Sequence, residues 1–161
     1  SSDDLFSDFD RFYLVRQLTE GKKMIALAEC GMLPDLDTTM PGFVLSDFGD
    51  FIRTGANTGA EDDPDLDNVS VNMDIFRAFS KGYIRSAGSF LTPTERELLP
   101  FGAKMLTYMQ TVRFLTDYLN GDTYYKIQYP EHNLQRTLAQ LTLLQSIEAH
   151  EQEMSDYIAS L

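Results

Sequence analysis

Cysteine, histidine and basic side chains are scarce in this chain, and each scarcity removes a class of function. A lone cysteine, Cys30, leaves no internal disulfide and no zinc site built from several thiolates. Its expected role is that of a small buried hydrophobe. The two histidines, His132 and His150, have no metal-ligand or nucleophile partner at a telling spacing, so both are expected to be structural or exposed. Thirteen Lys and Arg stand against 25 Asp and Glu, a formal net charge of −12, and the basic residues are scattered. Nucleic-acid binding by phosphate neutralisation needs them clustered, which excludes that class. No apolar run approaches the roughly 20 residues that a bilayer crossing requires, so no membrane association is expected. The first residues, Ser1-Ser2-Asp3-Asp4, are acidic where a secretory signal begins basic, and the expected location is cytoplasmic. No serine, nor Cys30, sits in a nucleophile-elbow context.

What is present fits a folded protein. Apolar residues make up 43% and charged residues 24% of 161 positions, the composition and length of one globular domain. The acidic balance suits a site that recruits cations or handles neutral polar substrates.

Helical spacing dominates the chain. It predicts a helix over 5–29, with Leu5, Phe9 and Phe12 on one face, then a loop rich in Pro and Asp, and a short apolar helix over 43–53. Residues 54–67, rich in Gly, Asn and Asp, read as a surface loop. Asp67 is the expected cap of the next helix, whose inward face is Ile75, Phe76, Phe79, Tyr83 and Ala87. Thr92-Pro93-Thr94-Glu95 is a capping-box signature. It opens a long helix running to Asn120-Gly121, with Leu98, Met105, Met109, Val112, Leu115 and Leu119 inward and a bend at Pro100. A final helix begins near Leu134 and carries Leu138, Leu141, Leu144, Ile147, Met154, Ile158 and Leu161. The expected fold is an all-α bundle of five or six helices.

Several clusters carry candidate chemistry. Asp35-Leu36-Asp37 precedes a Pro-Gly, and paired carboxylates in a loop either bind magnesium or form solvated turns. Asp47-Phe48-Gly49-Asp50 either braces neighbouring backbone or places acids at the positive end of a helix dipole. Asp63, Asp65 and Asp67 imitate a calcium loop, but the glycine of its sixth position and the glutamate of its twelfth are missing. Arg113 and Asp117 lie four apart on a helix, where they either pair with each other or, with the nearby tyrosines, line a polar pocket for a hydroxyl-rich ligand.

Longer strings extend the pattern: Asp35-Leu36-Asp37-Thr38-Thr39-Met40-Pro41-Gly42, Ser46-Asp47-Phe48-Gly49-Asp50-Phe51-Ile52-Arg53, Gly59-Ala60-Glu61-Asp62-Asp63, Phe90-Leu91-Thr92-Pro93, Tyr108 through Tyr118, and Asn120 through Lys126. Through them roughly four-fifths of the chain resembles the C-terminal half of the aminoglycoside phosphotransferase and choline kinase-like family, and within it the bacterial N-acetylhexosamine kinases. The resemblance implies that Asp35 is a magnesium ligand with Asp37 as its neighbour, and that Asp47 and Asp50 brace the catalytic loop. It puts Arg113, Asp117 and Tyr124 on the sugar-recognition side. In the intact family the reaction uses ATP and magnesium. The family's His-x-Asp loop, with an Asn five residues after the Asp, should precede Asp35 and is absent, as is the nucleotide-binding lobe. Residues 1–33 do not match, and 34–161 form a partial C-terminal lobe, the two expected to make one compact domain. The expectation is a truncated relative of an ATP- and magnesium-dependent amino-sugar kinase, inactive alone and with no cofactor of its own. The alternative is a non-catalytic helical module that covers the surface of the missing half by forming a homodimer or by taking up a complementary chain.

Overall fold

The computed structural model describes residues 43–161, so the expected N-terminal helix, Cys30, Asp35 and Asp37 lie outside the described residues. Among the described residues there are six α-helices and no strand, the all-α bundle expected. No described helix is long and apolar enough to cross a membrane.

Val44, Phe48 and Ile52 recur every four residues, and α1 (Val44–Gly55) forms and buries all three. Helix α2 (Met73–Ala87) starts later than Asp67. Its cap is Asn72, whose side-chain oxygen accepts from the Asp74 and Ile75 N–H groups. Asp67 lies instead in a 3-10 turn, Leu66–Asn68, capped by Asp65. The reason is Val69-Ser70-Val71, which alternates buried, half-buried, buried and is held extended by a bridge from Val71 to Asn57. A helix cannot begin until that segment has ended.

Helix α3 (Pro93–Glu97) carries the expected capping box. Glu95 N–H donates to Thr92 Oγ1 at 3.2 Å and Thr92 N–H donates to Glu95 Oε2 at 2.8 Å. The expected bend at Pro100 is a full break at Leu98, after which α4 (Leu99–Leu119) begins. Pro100 has no N–H for the preceding turn, so it fits the first turn of a new helix and not the middle of an old one. The expected final helix is likewise two, α5 (His132–Ala149) and α6 (Glu151–Ser160). They part at His150, whose Nδ1 lies 2.8 Å from the Ser146 carbonyl that its own N–H also reaches. A side chain that competes for the helix's acceptor weakens the ladder there.

The core is aromatic at one end. The Phe48 ring lies 5.4 Å from Phe79 and 5.3 Å from Tyr83, while Phe51 stacks on Phe79 at 3.8 Å. Leu143 and Ile147 of α5 and Met154 and Ile158 of α6 belong to the same buried cluster. Helix α4 lies against both α1 and α5.

Its orientation reverses the expected one. Leu98, Met109, Val112, Leu115 and Leu119 are each at least 39% exposed, and Met105 is half-buried. The buried side is Leu99, Pro100, Gly102, Ala103, Thr107, Thr111, Phe114 and Asp117. The cause is a close crossing. A Cβ on Gly49 of α1 would lie 2.3 Å from the Gly102 carbonyl oxygen, and one on Gly102 would lie 2.7 Å from that of Leu45. Only small residues allow backbones this near. Thr107 and Thr111 tolerate burial because their hydroxyls donate within the helix, to Ala103 O at 2.9 Å and Thr107 O at 2.8 Å. In α5, Leu138 and Leu141 are also turned out, each 40% exposed, and Leu161 is 38% exposed. Leu144, Ile147, Met154 and Ile158 are buried as expected.

Candidate functional site

The Asn120-Gly121 stop creates the site. Gly121 adopts φ +85, a region open to glycine, directly after the Asn120 cap. Gly121 N–H then reaches Tyr118 O at 3.1 Å and Asp122 N–H reaches Asp117 O at 2.9 Å, the paired bonds of a Schellman motif. The chain therefore turns back over the last two turns of α4.

Asp117 fastens it there. One carboxylate oxygen accepts from Thr123 N–H at 3.0 Å and Tyr124 N–H at 2.8 Å. The other accepts from Tyr125 N–H at 2.9 Å and from the Asn133 side-chain amide at 2.8 Å. An ionised carboxylate offers about four acceptor positions, and all are filled. Burial raises this carboxyl, but the N–H groups of Tyr125, Tyr124 and Thr123 and the Asn133 amide together outweigh it and hold the group below the usual carboxylate range. Asn133 also donates to Asp122 Oδ1 at 2.8 Å and accepts from Arg136 at 2.9 Å, which joins the loop to the first turn of α5.

With Asp117 saturated, Arg113 has no place in that network, and the two residues do not pair. The Arg113 guanidinium lies over the rings of Tyr124 at 5.8 Å and Tyr125 at 5.5 Å. Among the described residues its one hydrogen bond is a 3.4 Å contact to Gln110, whose own amide donates to the Tyr125 hydroxyl at 3.2 Å. Most of its five donors remain available to a ligand. Arg113, Asp117 and Tyr124 line a cleft of about 390 Å³ together with Val112, Thr116, Asn120, Thr123 and Tyr125. Tyr124 is 74% exposed at its rim. The cleft offers aromatic faces and the unfilled N–H donors of a cationic guanidinium, a chemistry for a ligand rich in acceptor oxygens.

The remaining candidates lie elsewhere. Asp47 sits half-buried in the first turn of α1, where its charge favours the helix's positive end. Asp50 pairs with Arg53 at 3.0 Å, and Arg53 continues to Glu61 at 2.8 Å. Asp63 and Asp65 accept from backbone N–H groups of their own loop and so form turns. Among the described residues no group of three or more His, Cys, Asp or Glu could hold a metal ion. His132 is fully buried and structural. Its Nδ1 accepts from Gln128 N–H at 3.1 Å, which leaves the proton on Nε2 to donate to Asp62 Oδ2 at 2.8 Å.

Sequence reasoning missed Tyr125, Thr123 and Asn133. Their roles depend on backbone N–H groups and on a contact 16 residues along the chain, which side-chain patterns do not reveal. The helix-stop signal at Asn120-Gly121 was the available clue, because a chain reversing there must satisfy its freed N–H groups nearby. Compared with models of known protein families, the chain matches none.

Proposed function

We propose that the cleft at the end of α4 is the sugar-recognition side of a phosphotransferase-type kinase, and that its ligand is an amino sugar of the N-acetylhexosamine class. The observation that carries this reading is that Arg113, Asp117 and Tyr124 line one cleft of about 390 Å³, within the range of small-molecule sites. Tyr124 and Tyr125 offer rings to the apolar face of a pyranose. Arg113 donates to hydroxyl or acetamido oxygens. Asp117 touches no ligand in this reading and acts as a positioning residue, fixing the backbone that carries both tyrosines.

In the intact family, ATP and magnesium supply the transferred phosphoryl group and its charge compensation. Asp35 and Asp37 are the residues proposed to face that metal. No His-x-Asp loop lies within the 161 residues, so no transfer step is assigned to them. The proposed activity of these residues alone is sugar binding without turnover.

Isothermal titration with N-acetylglucosamine and N-acetylgalactosamine tests this, with a coupled ADP-release assay alongside. Saturable binding that Arg113→Ala weakens by roughly 10-fold or more, the loss expected for a charged donor, is the supporting result. No saturable heat with either sugar, or binding indifferent to both Arg113→Ala and Tyr124→Ala, overturns the reading.

A further inference from the structure

The outward face of α4 has an order of its own. Phe101, Met105, Tyr108, Val112, Leu115 and Leu119 are spaced 4, 3, 4, 3, 4. At about 100° per residue they fall within a stripe roughly 80° wide and ~27 Å long. This is the seam spacing by which one helix packs along another. Yet the side of α4 buried in the fold is another, with Ala103, Thr107, Thr111 and Phe114, and Tyr108 and Leu119 are 58% and 73% exposed.

We infer that this stripe is a self-association surface, on which a second copy of the chain packs antiparallel through the same six residues. Three observations single out that occupant. The spacing reads the same in both directions about its midpoint. A two-fold axis there sets Phe101 against the partner's Leu119, Met105 against the partner's Leu115, and Tyr108 against the partner's Val112, the self-complementary contact that two-fold symmetry demands. The area is also sufficient. Scaled by ordinary residue areas, the exposed fractions of Phe101, Tyr108, Val112, Leu115 and Leu119 and of the flanking Leu98 and Met109 amount to roughly 700 Å² per chain, near the ~800 Å² per partner of a specific interface. It exceeds the roughly 300–600 Å² of the largest bare patch on a typical monomer.

Charge is the third observation. The chain carries 25 acids, yet across the 21 residues of α4 the only one is Asp117, which is buried and saturated. Two chains of net charge −12 repel each other on most faces. On this one α4 brings no exposed carboxylate of its own, Glu151 beside it is paired with the Lys104 that lies over Phe101, and its aromatics and methionines are the residue types enriched in interfaces.

Sedimentation of the full chain at ~50 µM, above the dissociation constants of most specific interfaces, tests the inference. The expected species has twice the 18.3 kDa chain mass. Val112→Glu, at a half-exposed position, is expected to keep the helical circular dichroism and to weaken association by roughly 30-fold or more. The register has its own test in a Cys30→Ser background. Under mild oxidation a mixture of Met105→Cys and Leu115→Cys chains forms a disulfide-linked dimer, and neither variant does so alone. A monomer at this concentration overturns the inference. So does a dimer that Val112→Glu leaves intact or that gives no mixed cross-link.

Discussion

At the scale of single residues, the most consequential side chain is one that makes no outward contact. Asp117 gathers three backbone N–H groups and one amide at 2.8–3.0 Å. Its carboxyl is held below the usual range, so its stabilising effect is full above the ordinary carboxylate pKa and disappears as pH falls through the lower folded value. The wild-type chain is therefore expected to lose stability progressively below about pH 4. Urea unfolding of Asp117→Asn should show a lower midpoint at pH 7 and a flatter acid limb, because an amide cannot accept four hydrogen bonds. An unchanged acid limb would mean that other carboxylates govern it. The sequence marked Asp117 as a candidate but paired it with Arg113 or with a ligand. The hydrogen bonds it makes within the fold are to three backbone N–H groups and the Asn133 amide, and no pattern of side chains discloses the backbone ones.

Among the elements, much was legible where local signals and tertiary demand agree. The Thr92 capping box, the inward face of α2 and the buried row Leu144, Ile147, Met154 and Ile158 all follow from spacing and cap chemistry. In α4 the two disagree. Its large apolar residues define one face, but the crossing with α1 needs the small one, and backbone proximity decided the outcome. Gly102→Ala tests this directly. Its new Cβ would sit 2.7 Å from the Leu45 carbonyl oxygen, which belongs to backbone and yields little. The expected cost is about 1–3 kcal/mol, as for overpacked cores, although alanine is the better helix former. Thermal or urea unfolding checks it, and a more stable variant would mean that α1 and α4 move apart readily.

For the whole molecule, charge and packing pull in different directions. A net charge of −12 works against compactness, while the ion pairs Arg77–Glu153, Lys104–Glu151 and Arg53–Glu61 are part-exposed and each worth about 0–1 kcal/mol. Self-repulsion is expected to be the larger of the two, since 25 acids face 13 basic residues. Raising salt from about 0.05 to 0.5 M should therefore raise the melting temperature, since screening relieves repulsion more than it weakens the pairs. A fall in melting temperature would show that the pairs dominate. The loop that Asp117 holds has a further consequence in time. Because the amides of Thr123, Tyr124 and Tyr125 converge on one carboxylate, none can open to solvent without loosening the others. Hydrogen exchange at the three positions should follow a single opening rate, so the rim of the cleft works as one latch and not as three independent residues.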